Sequence, residues 1–185
     1  MTTTLDCGGN WVSIRPFARA DAVAVAEFAQ KLPEHDLLFL SRDLRHARVI
    51  EAWTDALSAG EIDSLVAWAD DVVVGTTAVV VDPLSWSAHV AELRVLVAPA
   101  MRGKGLGRTL LEATMTMARE RGATKLTARM TPDQRGAITL FEEAGFRGEA
   151  MLRDHVRGRD GQLHDLAILS LDIDRGEARR GAFAA

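Results

Sequence analysis

The segment that most limits what this chain can fold into runs from Val95 to Leu110, Val-Leu-Val-Ala-Pro-Ala-Met-Arg-Gly-Lys-Gly-Leu-Gly-Arg-Thr-Leu. An apolar strand reaches a proline, a turn carries glycines at 103, 105 and 107, and a helical pattern leaves that turn. Glycines at alternate positions weaken a helix start and are a poor choice if the turn serves structure alone. A helix N-terminus carries unpaired N–H groups and the positive end of its dipole. Glycine lets the backbone approach a phosphate with no Cβ in the way, and Arg102, Lys104 and Arg108 add positive charge. The arrangement suits a pyrophosphate. Spacing excludes two kinds of site. A dinucleotide turn needs G-x-G-x-x-G and an acidic ribose ligand downstream. A triphosphate loop needs Gly-Lys followed by Ser or Thr, whereas Lys104 is followed by Gly105.

The remaining periodicities place this turn within one domain. Trp11 to Phe17 alternates as a strand. Asp21 is expected to cap a helix with Ala22, Val25, Ala26 and Ala29 on one face, stopped at Pro33. After a loop, Ser41 is expected to cap a second helix carrying Leu44, Val49, Ala52, Trp53 and Leu57, closed by Gly60. Ile62 to Trp68 and Val72 to Asp82 read as a hairpin around Asp70-Asp71. His89 to Val97 is a strand, Gly105 to Arg121 an amphipathic helix, Lys125 to Met130 a strand and Thr131 to Ala144 a helix. A last hairpin joins Phe146–Arg157 to Gln162–Asp172 around Gly158–Gly161. The expectation is one mixed α/β (α+β) domain of about seven strands over residues 10–173, with tails at 1–9 and 174–185.

Composition narrows the function. A length of 185 residues suits a single core. The formal net charge of -4 gives no reason to expect a nucleic-acid partner, so any anion site must be local. The one cysteine, Cys7, cannot form an intramolecular disulfide, and a reducing compartment fits best. The N-terminus has no secretory pattern, and the longest apolar run, Val72 to Val81, is too short to span a bilayer. A cytoplasmic protein with no membrane partner is the expectation.

Arg102-x-x-Gly105-x-Gly107, directly after a Val-x-Val-x-Pro strand end, resembles the acyl-CoA-binding signature of the GNAT superfamily of N-acetyltransferases. Ala137-Ile138-Thr139-Leu140-Phe141-Glu142-Glu143-Ala144-Gly145-Phe146 resembles the helix and Gly-Phe strand start that follow in that family, and the element order matches from about Trp11 to Asp172. The resemblance implies a mostly antiparallel sheet flanked by helices and splayed at the acyl-CoA site. It implies acetyl-CoA or another short acyl-CoA as co-substrate, no metal, and an amine acceptor that is a small molecule or a protein. It leaves room for a homodimer. The pantetheine would follow Val95, Leu96 and Val97. The pyrophosphate would sit on Arg102, Gly103, Lys104, Gly105, Leu106, Gly107, Arg108 and Thr109.

An amine must lose a proton before it attacks a thioester, and a carboxylate or histidine is the usual base. By the resemblance, Glu92 is the first candidate, and its apolar sequence neighbours would raise its pKa on burial. Pairing with Arg94 is the plainer role. His89 is the second candidate. The family's tyrosine acid, which protonates the departing thiolate, is replaced here by Phe141, and the chain has no tyrosine at all. Gln134 stands where the family often places a cofactor-binding asparagine, and Thr131-Pro132-Asp133-Gln134 also fits a capping box. His155 and His164, with Asp154 and Asp165, are expected to face each other across the last hairpin. They could hold a metal or line a pocket for a cationic acceptor, but no third ligand is close in sequence. Two functions remain open: an N-acyltransferase with Glu92 as base, and a catalytically weak acyl-CoA-binding regulatory domain. The acceptor is expected to be chosen by residues 34–45 and 84–88.

Overall fold

The computed structural model describes residues 2–173. The 174–185 segment, expected to be a tail, lies outside the described residues. The strands are β1 (Thr3–Asp6), β2 (Trp11–Pro16), β3 (Ile62–Asp63), β4 (Leu65–Ala69), β5 (Val72–Val80), β6 (Val90–Val97), β7 (Lys125–Met130), β8 (Arg147–Arg157) and β9 (Leu163–Asp172). The helices are α1 (Ala22–Lys31), α2 (Ala47–Ser58), α3 (Leu106–Glu120) and α4 (Arg135–Glu143).

All strands join one sheet in the order β1-β2-β4-β5-β6-β7-β9-β8, with β3 also on β5. Every pairing is antiparallel except β6 with β7. Helices α1 and α2 cover one face, packing Phe28, Ile50 and Trp53 on Val66, Val73, Ala78 and Leu96. Helices α3 and α4 cover the other, where Leu111, Met115 and Phe141 pack on Val79, Leu93, Leu126 and Met130.

The sheet has nine strands rather than about seven. Residues 3–6, expected within a tail, pair with Trp11–Ile14, and Cys7 N–H donates to the Asn10 carbonyl to close the turn. Cys7 is fully buried, which anchors this edge. The expected strand 62–68 is two strands that keep one register on β5 through Ala67, with a shift at Trp68. Between them, the buried Ser64 hydroxyl donates to the Thr77 carbonyl, and Leu65 N–H donates to the Thr77 hydroxyl. Side-chain bonds there replace two rungs of the ladder.

Three helix starts differ from expectation, the simplest being α4, which begins at Arg135 and not Thr131 because residues 131–134 form a turn. Asp21 does not cap α1 with its side chain. Its buried carboxylate accepts from Arg15 at 2.6 and 2.7 Å and from Ala18 N–H at 2.8 Å. Those bonds, Arg15 first, hold its carboxyl below the ordinary range against the opposing effect of burial. Helix α2 begins at Ala47, well after Ser41. Asp43 accepts from both the N–H and the side chain of Arg45, and this local turn competes with the helix. Residues 34–46 are therefore a loop containing one short turn of 3-10 helix at Glu34–Leu37.

Candidate active site

Strands β6 and β7 run parallel and pair only over Val90–Glu92 and Lys125–Thr127. Past that point β6 stays on β5 as far as Val97, and β7 stays on β9 as far as Met130. Each strand keeps its outer partner while the two part from each other, and the sheet opens. A cavity of about 770 Å³ occupies the opening, lined by Leu93, Val95, Leu96 and Val97 on one side, Arg129 and Met130 on the other, and the starts of α3 and α4 above.

The glycine-rich turn forms the mouth of this cavity. Gly103 and Gly105 have φ of +71° and +88°, a region that residues with a Cβ rarely occupy. Gly107 has ordinary helical backbone, and its need is space: a Cβ there would lie 3.3 Å from Leu140 Cδ2. Arg102 N–H bonds back to Pro99, and the first helical bond runs from Thr109 N–H to Gly105 O. Between them, among the described residues, the N–H groups of Gly103 to Arg108 have no backbone acceptor, as a 15-residue helix leaves them at its N-terminus.

The expected cofactor residues divide into two groups. Val95, Leu96, Val97, Arg102, Gly103, Gly105, Gly107, Arg108, Gln134 and Phe141 line the cavity. Leu106 is fully buried and anchors α3, while Thr109 bonds its hydroxyl back to Gly105 O. Lys104 lies outside the lining, its stem against Gly8 in the β1–β2 turn. Arg102 is ion-paired with Asp36, and Arg108 with Glu143. Gln134 accepts from Thr131 N–H at 3.1 Å and donates to the His35 carbonyl at 3.2 Å; its first bond closes a turn ahead of α4 and does not cap it, because α4 begins only at Arg135. Phe141 is buried, its ring edge-on to Phe146 at 5.0 Å.

Glu92 is the last β6 residue paired with β7, at the apex of the opening. Its carboxylate meets Arg94 Nε at 2.7 Å and Arg129 Nη2 at 3.3 Å. Its surroundings are two guanidiniums and not an apolar pocket, because the apolar Ala91 and Leu93 point to the opposite face of the strand. His89 is exposed and outside the cavity lining. In the last hairpin His164 stands opposite Val156, so His155 and His164 are not a facing pair. Asp154 N–H instead donates to Asp165. Among the described residues no group of three or more His, Cys, Asp or Glu side chains could hold a metal. No helix among them is long and apolar enough to cross a membrane.

The structure adds residues that no motif marked. His35, Asp36, Arg129 and Asp133 line the cavity. His35 Nε2 lies 2.9 Å from Asp133 Oδ2 and 3.0 Å from Thr131 Oγ1. Beyond it, Glu34 accepts from Arg159 N–H, and Asp43 binds both Arg45 and Arg159, tying the 34–46 loop to the β8–β9 turn. Those arginines, Arg45 first, hold the Asp43 carboxyl far below the ordinary range although burial opposes them. The charge pattern is scattered over distant positions and has no signature in sequence.

Comparison with known proteins agrees with this geometry. Residues 25–146 match the acetyltransferase (GNAT) family. The L-amino acid N-acyltransferase MnaT of Escherichia coli is 28% identical over 165 residues, covering 88% of this chain and 95% of its own. The structure of yncA from Salmonella typhimurium with its cofactor acetyl-CoA superposes with a TM-score of 0.73 at 26% identity, covering 88% of this chain and 94% of its own. Spermidine N-acetyltransferase from Vibrio cholerae, in complex with CoA and spermine, has a TM-score of 0.71 over 86% of this chain and 94% of its own. At 16% identity that likeness is one of fold alone.

Proposed function

The chain belongs to the acetyltransferase (GNAT) family, and on that premise we propose that it transfers an acetyl or other short acyl group from acyl-CoA to a primary amine by direct attack in a ternary complex. One observation carries this reading: a turn with unpaired N–H groups opens onto a cavity that lies in a parted sheet. The pyrophosphate would take the N–H groups of Gly103 to Arg108, with Arg102 and Arg108 turning to it from Asp36 and Glu143. The pantetheine would enter the opening along Val95 and Val97, whose β7-side backbone groups have no strand partner. The relative solved with acetyl-CoA supports this donor.

The acceptor would arrive from the α1–α2 face. Glu92 and Arg94 lie on that face with Leu96, and Arg94 reaches Ser41 of the 34–46 loop at 3.4 Å. Glu92 would act as general base, directly or through water, after one of its two arginines gives way. An amino acid is the acceptor class with most support. MnaT is named for that acceptor, and Arg129 offers a guanidinium to a carboxylate from the cavity wall.

CoA release from acetyl-CoA, measured over a panel of L-amino acids and spermidine, tests the reading. Turnover with at least one amine is expected, strongest among the amino acids. Tight acetyl-CoA binding with no turnover across the panel would instead support the regulatory-domain reading.

A further inference from the structure

We propose that His35 donates the proton taken up by the departing CoA thiolate, with Asp133 as the carboxylate that positions its ring. The proposal rests on the acyl-CoA transferase reading and adds a residue to it. As the amine nitrogen bonds to the thioester carbon, the C–S bond breaks and its electron pair leaves on sulfur. The sulfur takes a proton from the His35 imidazolium. The surplus proton on the amine goes to Glu92 or water, and solvent recharges the ring.

His35 is the only histidine among the described residues that line the cavity. The other ionisable lining groups are carboxylates and guanidiniums, which at neutral pH have no proton to give or do not release theirs. The ring of Phe141, which also lines the cavity, has no donor. The segment carrying His35 crosses the opening: Asp36 is ion-paired with Arg102 on the β6–α3 side, while His35 meets Thr131, Asp133 and Gln134 on the β7–α4 side. Those contacts hold Nε2, leaving Nδ1 as the ring nitrogen available to a bound thioester.

A carboxylate partners the ring directly. The Asp133 carboxyl sits below its ordinary range; burial opposes this, and the Thr131 hydroxyl, its own N–H and His35 outweigh it. From β9, His164 meets the His35 ring edge-on at 5.7 Å. On its own segment, Glu34 is committed to Arg45 and Arg159, and Asp36 to Arg102.

CoA itself is the probe, because its thiolate absorbs in the ultraviolet and needs no acceptor. Bound to the wild type, the CoA thiol should ionise at a pH about one unit or more below that of free CoA, giving about tenfold more thiolate at a fixed pH below its midpoint. His35→Gln should return the midpoint to that of free CoA while CoA affinity stays within about threefold. Asp133→Asn should give a midpoint between the two. Equal thiolate in wild type and His35→Gln overturns the proposal and leaves the donor site standing. If His35→Gln fails to fold, an Asp133→Asn midpoint equal to wild type overturns it. Failure of CoA to bind the wild type removes the transferase reading itself.

Discussion

Replacing Gly105 by alanine isolates backbone conformation from every other property of the phosphate turn. Gly105 has φ +88° and ψ −19°, and a Cβ built there meets no atom within 4 Å. No steric contact with neighbours enters, so the cost is that of holding a residue with a Cβ at positive φ, about 1–2 kcal/mol. At this chain length about 1 kcal/mol moves the melting temperature by roughly 2–4 °C, so Gly105→Ala should melt roughly 2–8 °C lower. Acetyl-CoA at about 100 times its dissociation constant should stabilise the wild type by about 2.7 kcal/mol. If the alanine turn relieves strain by rotating its N–H groups off the phosphate, the ligand-induced gain shrinks as well. Gly105→Glu adds a negative side chain to the same position and should abolish the gain. Thermal unfolding with and without acetyl-CoA, paired with calorimetric titration, reads both effects. A Gly105→Ala protein with unchanged melting temperature would refute the conformation. A Gly105→Glu protein with unchanged affinity would refute the phosphate site.

Glu92→Gln should lower turnover about 10²–10⁴-fold and leave acetyl-CoA affinity within about twofold, with the acid limb of the pH–rate profile lost or moved; full activity at neutral pH would place the base elsewhere. Phe141→Tyr should change turnover by less than about tenfold, about 1.4 kcal/mol of barrier, because His35 already supplies the proton. Its hydroxyl would enter a buried edge-to-face pair with Phe146 and, unpartnered, cost about 1–3 kcal/mol, so melting and rate are measured on the same sample. The depressed Asp43 carboxyl contributes stability that is present above its unfolded value, near pH 3.9, and is lost as pH falls below it. Asp43→Asn should therefore be less stable than wild type at pH 7, with the gap closing as the pH drops below about 4; denaturant unfolding at several pH values checks it.

The donor half of the site was legible because it is local. Val95 to Leu110 contains the strand end, both positive-φ glycines and the helix start, with no distant residue needed to form the turn. The hairpin turn at Asp70-Asp71 was legible for the same reason, being fixed by backbone conformation at a few adjacent residues. What escaped depended on partners. Ser41 looked like a cap until Asp43 bound Arg45 and Arg159. The tail became a strand because Trp11–Ile14 offered it an open edge. His164 met Val156 and not His155, since β8 shifts register between Leu152 and Val156, an irregularity that residue counting does not reveal.

Glu92 shows how the acceptor half differs. Along the chain its neighbours Ala91 and Leu93 are apolar, and a strand sends them to the α3–α4 face while Glu92 points toward α1 and α2. There its company is Arg94 and Arg129, the second supplied by β7 two residues beyond Thr127, the last residue that pairs with β6. On the proposed function, Glu92 faces the α1–α2 side while the glycine-rich turn leads into α3 on the other, and the two meet where the sheet parts. The acceptor wall is then closed by the 34–46 loop, held through Glu34 and Asp43 to Arg159 of the β8–β9 turn and through His35 to Asp133. Each tie joins residues far apart in sequence, and Asp36 of the same loop also reaches the phosphate turn through Arg102. That spread explains why the family is readable from one glycine-rich segment while the proposed acceptor wall is written across three loops.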